Sequence, residues 1–143
     1  FMPDTNNFYM AGNMGGALSI GFGAAKAGKK VIVCGGDAEF VMHMGGLTTV
    51  GRYADQVDLT YILFDNEQNK STGGQNTYQN HLDYIDIAKA SGFDVTNKVI
   101  RTLDDDFLST VEDIRCLKFL CVKCNVDNET PRPPLNIMKA ARF

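Results

Sequence analysis

The sequence has no tryptophan, only two histidines and four cysteines, and neither a long hydrophobic run nor an excess of positive charge. Fourteen basic against 17 acidic residues give a net charge of -3, which excludes the basic footprint of a nucleic-acid-binding domain and any attraction to an anionic membrane surface. No apolar stretch approaches the roughly 20 residues that span a bilayer, and no signal segment opens the chain. We therefore expect a cytoplasmic protein with small-molecule ligands.

The cysteines do not form a recognisable metal or disulfide set. Cys121 and Cys124 make the one C-x-x-C of the chain, but residues three apart on a strand face opposite sides of a sheet. No second Cys or His pair is present to complete a zinc site. We interpret these cysteines as packing residues and keep metal or redox use as the less favoured alternative.

The hydrophobic pattern predicts a single α/β domain. The 143 residues, 44% of them hydrophobic, suffice for one core. Short apolar runs alternate with segments of helical periodicity, which is typical of a mostly parallel sheet with helices on both faces. We expect an extended start for residues 128–143, which contain three prolines. The expected strands are 30–36, 59–64, 93–100 and 117–126, and the expected helices are 15–26, 39–53, 82–90 and about 102–115.

Two polar clusters, residues 35–39 and 65–69, directly follow the first two expected strands. Ligands of such sheets bind beyond the carboxyl ends of the strands, and the strand-helix-strand return places both clusters at one rim. Asp37, Asn66 and a main-chain carbonyl would form an oxygen-only set that suits Mg²⁺ with a phosphate. Glycines before Asp37 and the start of the next helix favour the approach of that phosphate.

Each of these residues also has a simpler interpretation. Asp37 alone would be read as a helix N-cap and Asn66 alone as a turn residue. A phosphate-loop pattern at 23–30 is rejected, because Lys30 stands where a Ser or Thr is required and the segment precedes a strand. The two polar clusters occur together, separated by one strand-helix-strand return. This combination favours a site for a diphosphate and its metal ion over the N-cap and turn interpretations.

Gly36-Asp37-Ala38 and Asp65-Asn66 resemble the metal motif of the thiamine-diphosphate-dependent decarboxylases, which is Gly-Asp-Gly followed after one strand-helix-strand return by Asn-Asn. Ala38 replaces the third Gly and Asp65 the first Asn. The resemblance implies that thiamine diphosphate and Mg²⁺ are the cofactors. It also implies a metal site formed by the Asp37 carboxylate, the Asn66 side chain and the Gln68 main-chain carbonyl. Cofactor contacts are implied for Gly36, Asp37, Ala38, Glu39 and Asn66.

Further upstream, Gly12-Asn13-Met14-Gly15 is similar to the Gly-Ser-Met-Gly turn of the same family. By this resemblance, Met14 wedges the cofactor into its bent shape and the Gly12 carbonyl accepts a hydrogen bond from the aminopyrimidine. Asn13 is included among the cofactor-binding residues for the same reason. The similarity extends from about residue 8 to residue 97.

Within the family, residues 42–45 and 71–75 look most like the phosphonopyruvate decarboxylases. The sulfopyruvate decarboxylases, whose two halves are separate chains, come second. The resemblance implies decarboxylation of a 3-substituted pyruvate, most simply of phosphonopyruvate to phosphonoacetaldehyde and CO₂. Ser71, Thr72 and Gln75 become candidate substrate residues, although an ordinary surface loop is the alternative.

The resemblance also implies that residues 1–143 are one diphosphate-binding domain of a larger enzyme. In that family the activating glutamate belongs to a pyrimidine-binding domain or subunit, so no catalytic residue is assigned to this chain. We expect a homo-oligomer. His43, expected on the helix face away from the rim, and His81 are given no role. A non-catalytic module that binds phosphates or nucleotides at the same rim is the alternative function.

Overall fold

A computed structural model describes residues 6–96, 99–102, 104–113 and 115–126. Two 3-10 helices, Ala54–Gln56 and Lys70–Thr72, occur in these ranges. No helix there reaches the length and apolar content that a bilayer crossing requires. The other elements are α1 (Gly16–Lys26), β1 (Val31–Gly36), α2 (Asp37–Met42), α3 (Gly45–Gly51), β2 (Leu59–Asp65), β3 (Gln68–Asn69), β4 (Gln75–Asn76), α4 (Tyr84–Ala90), β5 (Asp94–Val95), α5 (Asp105–Glu112) and β6 (Leu117–Lys123).

Four of the described strands form one parallel sheet in the order β1, β2, β6, β5. Helices α1 to α4 cover one face of the sheet, and α5 packs against the other. β2 and β6 lie in the middle and are buried on both faces, which explains their nearly continuous apolar sequences. The predicted α/β fold with helices on both faces is confirmed.

The core fixes the start of α2 at the carboxyl end of β1. Phe40 is 2% exposed and packs against Tyr84 and Phe119, with ring centroids 5.3 and 5.7 Å away. Aromatic pairs of this kind contribute about 0.5 to 1.5 kcal/mol each beyond the burial of their area. Because Phe40 lies one helical turn after Asp37, its packing also fixes the position of Asp37.

The two cysteines of the C-x-x-C lie on opposite faces of the sheet. Cys121 belongs to the core between the sheet and α1 to α4, whereas Cys124 packs into the smaller core under α5. This arrangement is the one expected for residues three apart on a strand. In the described ranges, no group of three or more His, Cys, Asp or Glu side chains is arranged to hold a metal ion.

The expected single helix over 39–53 is wrong, because α2 and α3 are separate helices. His43 ends α2 with a φ of -131° and a ψ of 32°, and Gly45–Gly46 follow. The break lies at His43 and Met44, directly before the two glycines that open α3. Because each glycine costs about 1 kcal/mol relative to alanine in a helix interior, the pair favours a helix end beside it. α2 also begins two residues earlier than expected, at Asp37.

Two other segments differ from the expectation. Among the described residues of 93–100, the expected strand is reduced to β5 and an isolated bridge between Ile100 and Val122. The region 65–79, expected to be a loop, contains a small antiparallel hairpin of β3 and β4. The proline-containing segment 128–143 lies outside the described residues, so the expectation for it stays a prediction.

Candidate cofactor site

The parallel register of β1 and β2 brings the two polar clusters side by side. Gly36, the last residue of β1, is paired with Phe64 of β2. The next residues along the two strands are therefore Asp37 and Asp65, and Asn66 follows directly. Both clusters lie at the carboxyl rim of adjacent strands, as the sequence predicts.

A cleft of about 320 Å³ opens at this rim. Its volume lies at the lower end of the range found for small-molecule sites. One wall comes from β1 and the start of α2, the other from the segment after β2, and Met14 reaches in from the turn before α1. The lining residues are Met14, Cys34, Gly35, Gly36, Asp37, Ala38, Glu39, Phe64, Asn66, Gln68, Asn69, Lys70 and Ser71.

Asp37 is a buried carboxylate without a cationic partner among the described residues. It is 1% exposed, and Thr77 Oγ1 donates a hydrogen bond to its Oδ2 at 2.7 Å. The N-cap position of α2 belongs to Gly36, so Asp37 does not act as the helix cap. None of the ion pairs in the described ranges includes Asp37. Since a buried charge is costly unless it is paired, this carboxylate suits a bound cation.

The neighbouring acid, Asp65, has a different environment and holds the start of the loop. Its Oδ1 accepts a hydrogen bond from the Glu67 N–H at 3.1 Å, and Lys123 Nζ donates to its Oδ2 at 2.9 Å. Burial lowers the pKa of Lys123, but its hydrogen bonds to Glu67 and Asp65 outweigh this effect and raise it. The Asp65 charge is therefore balanced by Lys123, whereas that of Asp37 is not.

Asn66 and Gln68 present oxygen atoms to the same cleft. Asn66 Oδ1 accepts a hydrogen bond from the Gln68 N–H at 3.0 Å and retains a second lone pair. The carbonyls of Glu67 and Asn69 both accept hydrogen bonds from the β4 side, from Thr77 and Gly74. Carbonyls alternate in direction along an extended strand, so that of Gln68 is directed away from β4. Carboxylate, amide and main-chain oxygens are the ligands that Mg²⁺ accepts.

The glycine at the end of β1 leaves room for a ligand. A Cβ atom added to Gly36 would meet no atom within 4 Å, whereas one added to Gly35 would lie 2.7 Å from the Tyr61 hydroxyl oxygen. Gly36 therefore faces the open part of the cleft and Gly35 packs on the core. An uncovered backbone of this kind permits close approach of a phosphate group. The donor set and the open backbone together fit a metal-bound diphosphate.

Met14 is the one residue of the predicted turn at 12–15 that lines the cleft. It is half-buried, and Ser71 Oγ lies 3.3 Å from its sulfur. Gly15 has a φ of +90°, and a Cβ on it would overlap His43. His43 therefore packs against the turn that carries Met14, but it does not line the cleft. Gly12, with a φ of +78°, is exposed.

Of Asn13 and the three candidate substrate residues, only Ser71 lines the cleft. Asn13 is exposed, and its carbonyl accepts a hydrogen bond from the Gly16 N–H at 3.0 Å, so this residue belongs to the turn that precedes α1. Ser71 lines the cleft, but Thr72 and Gln75 do not. These two exposed side chains hydrogen-bond each other at 3.0 Å, because the 3-10 turn directs them together.

Several residues of the site were not predicted from the sequence. Lys70 lies between two predicted stretches, so its position in the chain could have indicated it. Cys34 is on the strand that ends at the metal motif, so its position in the chain could also have indicated it. Thr77 is 40 residues from Asp37, and no local pattern connects the two.

Comparison with protein families decides the relationship. The model of the family described as "Thiamine pyrophosphate enzyme, C-terminal TPP binding domain" matches residues 2–119. The chain belongs to this family. The TPP-binding domain is 35% identical over 113 residues to the sulfopyruvate decarboxylase subunit beta of Methanocaldococcus jannaschii, covering 77% of this chain and 60% of that subunit.

One further relative and one solved structure show how much of longer chains the TPP-binding domain matches. It is 37% identical over 107 residues to the phosphonopyruvate decarboxylase of Streptomyces viridochromogenes, covering 73% of this chain and 26% of that enzyme. A solved thiamin diphosphate-dependent enzyme from Mycobacterium smegmatis has the same fold, with a TM-score of 0.55, 18% identity, and coverage of 77% of this chain and 21% of that one. The domain thus spans less than two thirds of each of these relatives.

Proposed function

We propose that this TPP-binding domain holds the diphosphate of thiamine diphosphate, through a divalent metal ion, in an enzyme that decarboxylates a 3-substituted pyruvate. The observation that carries the proposal is the cleft itself, in which Asp37, Asn66, Gln68 and Met14 all meet. The relatives named sulfopyruvate and phosphonopyruvate decarboxylase support the reaction type. Mg²⁺ is the proposed metal, because all three donors are hard oxygen atoms.

Each residue then has a defined part. The Asp37 carboxylate, the Asn66 side-chain oxygen and the Gln68 main-chain oxygen would hold the metal. Gly36, Ala38 and Glu39, which line the same wall, would contact the diphosphate. Thiamine diphosphate, when bound, supplies the electron-accepting ring that decarboxylation requires, and the protein binds and orients it.

The proposed substrate is phosphonopyruvate, with sulfopyruvate as the second candidate. The test is to measure CO₂ release from phosphonopyruvate, sulfopyruvate and pyruvate with the complete enzyme. A preference for pyruvate would contradict the proposal that the substrate carries an acidic group at C3. A parallel titration of the chain with thiamine diphosphate and Mg²⁺ against ATP and Mg²⁺ tests the site, and a preference for ATP would favour the nucleotide-binding alternative.

We also propose that the surface around Met14 and α1 contacts a pyrimidine-binding domain or subunit of the same enzyme. Three large apolar side chains are exposed before and on α1, with exposures of 49% for Phe8, 42% for Tyr9 and 46% for Ile20. Exposed apolar side chains before and on this helix are of the kind that protein interfaces cover. Assembly into a homo-oligomer is part of the same proposal.

Replacing Thr77 with Val tests the support of the metal ligand. The variant loses the hydrogen bond to Asp37 Oδ2, so we expect Mg²⁺-dependent affinity for thiamine diphosphate to fall about tenfold, as is usual for outer-shell partners of metal ligands. Calorimetric titration of the complete enzyme measures this affinity. Thr72→Val, which removes an exposed hydroxyl outside the cleft, is the control. Equal affinities in the two variants would contradict the role of Thr77.

Met14→Ala tests the wedge. We expect kcat to fall by about tenfold or more while the affinity for the cofactor changes by less than about threefold, because a lost wedge harms the reactive conformer selectively. Steady-state kinetics combined with cofactor titration separates the two effects. Unchanged turnover would show that the turn around Met14 is structural only.

A further inference from the structure

One wall of the cleft is a run of four consecutive lining residues, Gln68–Ser71, and Lys70 carries its charge. Gln68 stands at the proposed metal end of this wall. Ser71 is at the other end, where its Oγ lies 3.3 Å from the sulfur of Met14. Lys70 therefore lies between the proposed metal position and the residue proposed to wedge the cofactor, and it is half-buried.

The loop that carries Lys70 is built by its own hydrogen bonds. The Gly74 N–H donates to the Asn69 carbonyl at 2.9 Å, and Ser71 Oγ donates to Asn69 Oδ1 at 2.9 Å. The backbone of Lys70 begins the 3-10 helix inside this closed turn. The anchored turn fixes the backbone from which the Lys70 side chain leaves, and this lowers the entropy cost of binding a ligand at this wall of the cleft.

The charges of the cleft indicate what that ammonium group would bind. Among the described residues that line it, the charged side chains are Asp37, Glu39 and Lys70. A 3-substituted pyruvate with a phosphonate or sulfonate brings two acidic groups to a cleft whose opposite wall already carries the carboxylates of Asp37 and Glu39. A lysine in this position offsets that repulsion and donates charge-assisted hydrogen bonds to a tetrahedral oxyanion.

We propose that Lys70 is a specificity-determining residue that binds the phosphonate or sulfonate group of the substrate. This inference rests on the proposed function. The cofactor diphosphate offers the same chemistry, so the experiment has to separate the two oxyanions. The proposal assigns Lys70 to the substrate because the hydrogen bonds of its neighbour Ser71 go to Met14 and Asn69, towards the proposed wedge.

The test uses Lys70→Met in the complete enzyme. We expect the KM for phosphonopyruvate, and the inhibition constant of the unreactive analogue 3-phosphonopropionate, to rise about 10-fold to 100-fold, the usual contribution of a hydrogen bond to a charged group. The Kd for thiamine diphosphate with Mg²⁺ should change by less than about twofold, since the metal ligands are intact. Lys70→Arg, which keeps the charge, should recover most of the lost affinity.

Lys29→Met is the matched control, because Lys29 is exposed before β1 at the opposite end of the strand from the cleft. An equal loss of affinity for thiamine diphosphate in Lys70→Met would assign the lysine to the diphosphate. An unchanged KM for phosphonopyruvate together with an unchanged inhibition constant for 3-phosphonopropionate would show that Lys70 does not bind the substrate. A wild-type enzyme that binds thiamine diphosphate but releases no CO₂ from any 2-oxo acid would refute the proposed function, which is a separate outcome.

Discussion

Asp37→Ala is expected to lower Mg²⁺-dependent affinity for thiamine diphosphate at least about 100-fold, because it removes the charged ligand of the proposed metal site. Asn66→Ala removes a neutral ligand and should cost less, about tenfold. Calorimetric titration of the complete enzyme with thiamine diphosphate, with and without Mg²⁺, measures both. Wild-type affinity in Asp37→Ala would show that the metal site is misplaced.

The thermal stability of Asp37→Ala shows whether Asp37 serves as a metal ligand or as a residue that stabilises the fold. Without ligands the wild-type protein keeps this carboxylate 1% exposed, and no ion pair in the described ranges includes it. Its removal should therefore leave the Tm unchanged or raise it, because a buried charge without a partner is unfavourable. Mg²⁺ and thiamine diphosphate should raise the Tm of the wild type and of the control Asp55→Ala, but not that of Asp37→Ala.

The second large effect concerns the chain alone. Even when saturated with thiamine diphosphate and Mg²⁺, it is expected to release CO₂ at least about 1,000-fold more slowly than the complete enzyme, since general acid-base groups contribute rate factors of that size. Among the described carboxylates, Glu39 lies at the diphosphate end of the cleft, Glu67 pairs with Lys123 and Glu112 is in α5 on the far face. We therefore expect none of these three glutamates to activate an aminopyrimidine ring.

The measurement is CO₂ release from phosphonopyruvate by the chain alone, and then by the chain with its pyrimidine-binding domain or subunit restored. Activity that appears only on recombination would support the two-domain arrangement. Full activity from the isolated chain would refute it. Cofactor titration of the chain alone serves as the control, because inactive protein that still binds thiamine diphosphate is folded.

The sheet and its rim could be predicted because their signals are local. A run such as 59–64 is apolar at every position only if both of its faces are buried, and β2 is buried on both. The pairing of Gly36 with Phe64 then follows from the parallel strand order. Local patterns of this kind were sufficient to bring Asp37 and Asn66 together at one rim.

The rest depended on contacts that no local pattern encodes. The bond from Thr77 to Asp37 joins residues 40 positions apart, and β3 and β4 have two residues each, too few for a strand pattern. The break at His43 was missed because the apolar spacing continues past it, although the glycine pair beyond it was visible. Thr72 and Gln75 were chosen from the motif alone. They lie outside the cleft and hydrogen-bond each other, and their part in substrate binding stays a prediction.

The hydrogen bond from Thr77 to Asp37 should couple metal binding at Asp37 to the order of the segment that carries Lys70. Thr77 closes the segment that starts at Asn66 and carries Lys70, so a metal ion that fixes Asp37 also restrains this segment. Coupling between two binding sites is reciprocal. If the bound metal ion orders this segment and so favours binding of an anion there, the bound anion strengthens metal binding by the same factor. Cofactor loading should therefore slow amide hydrogen exchange between residues 67 and 77, and Thr77→Val should uncouple that protection from the metal.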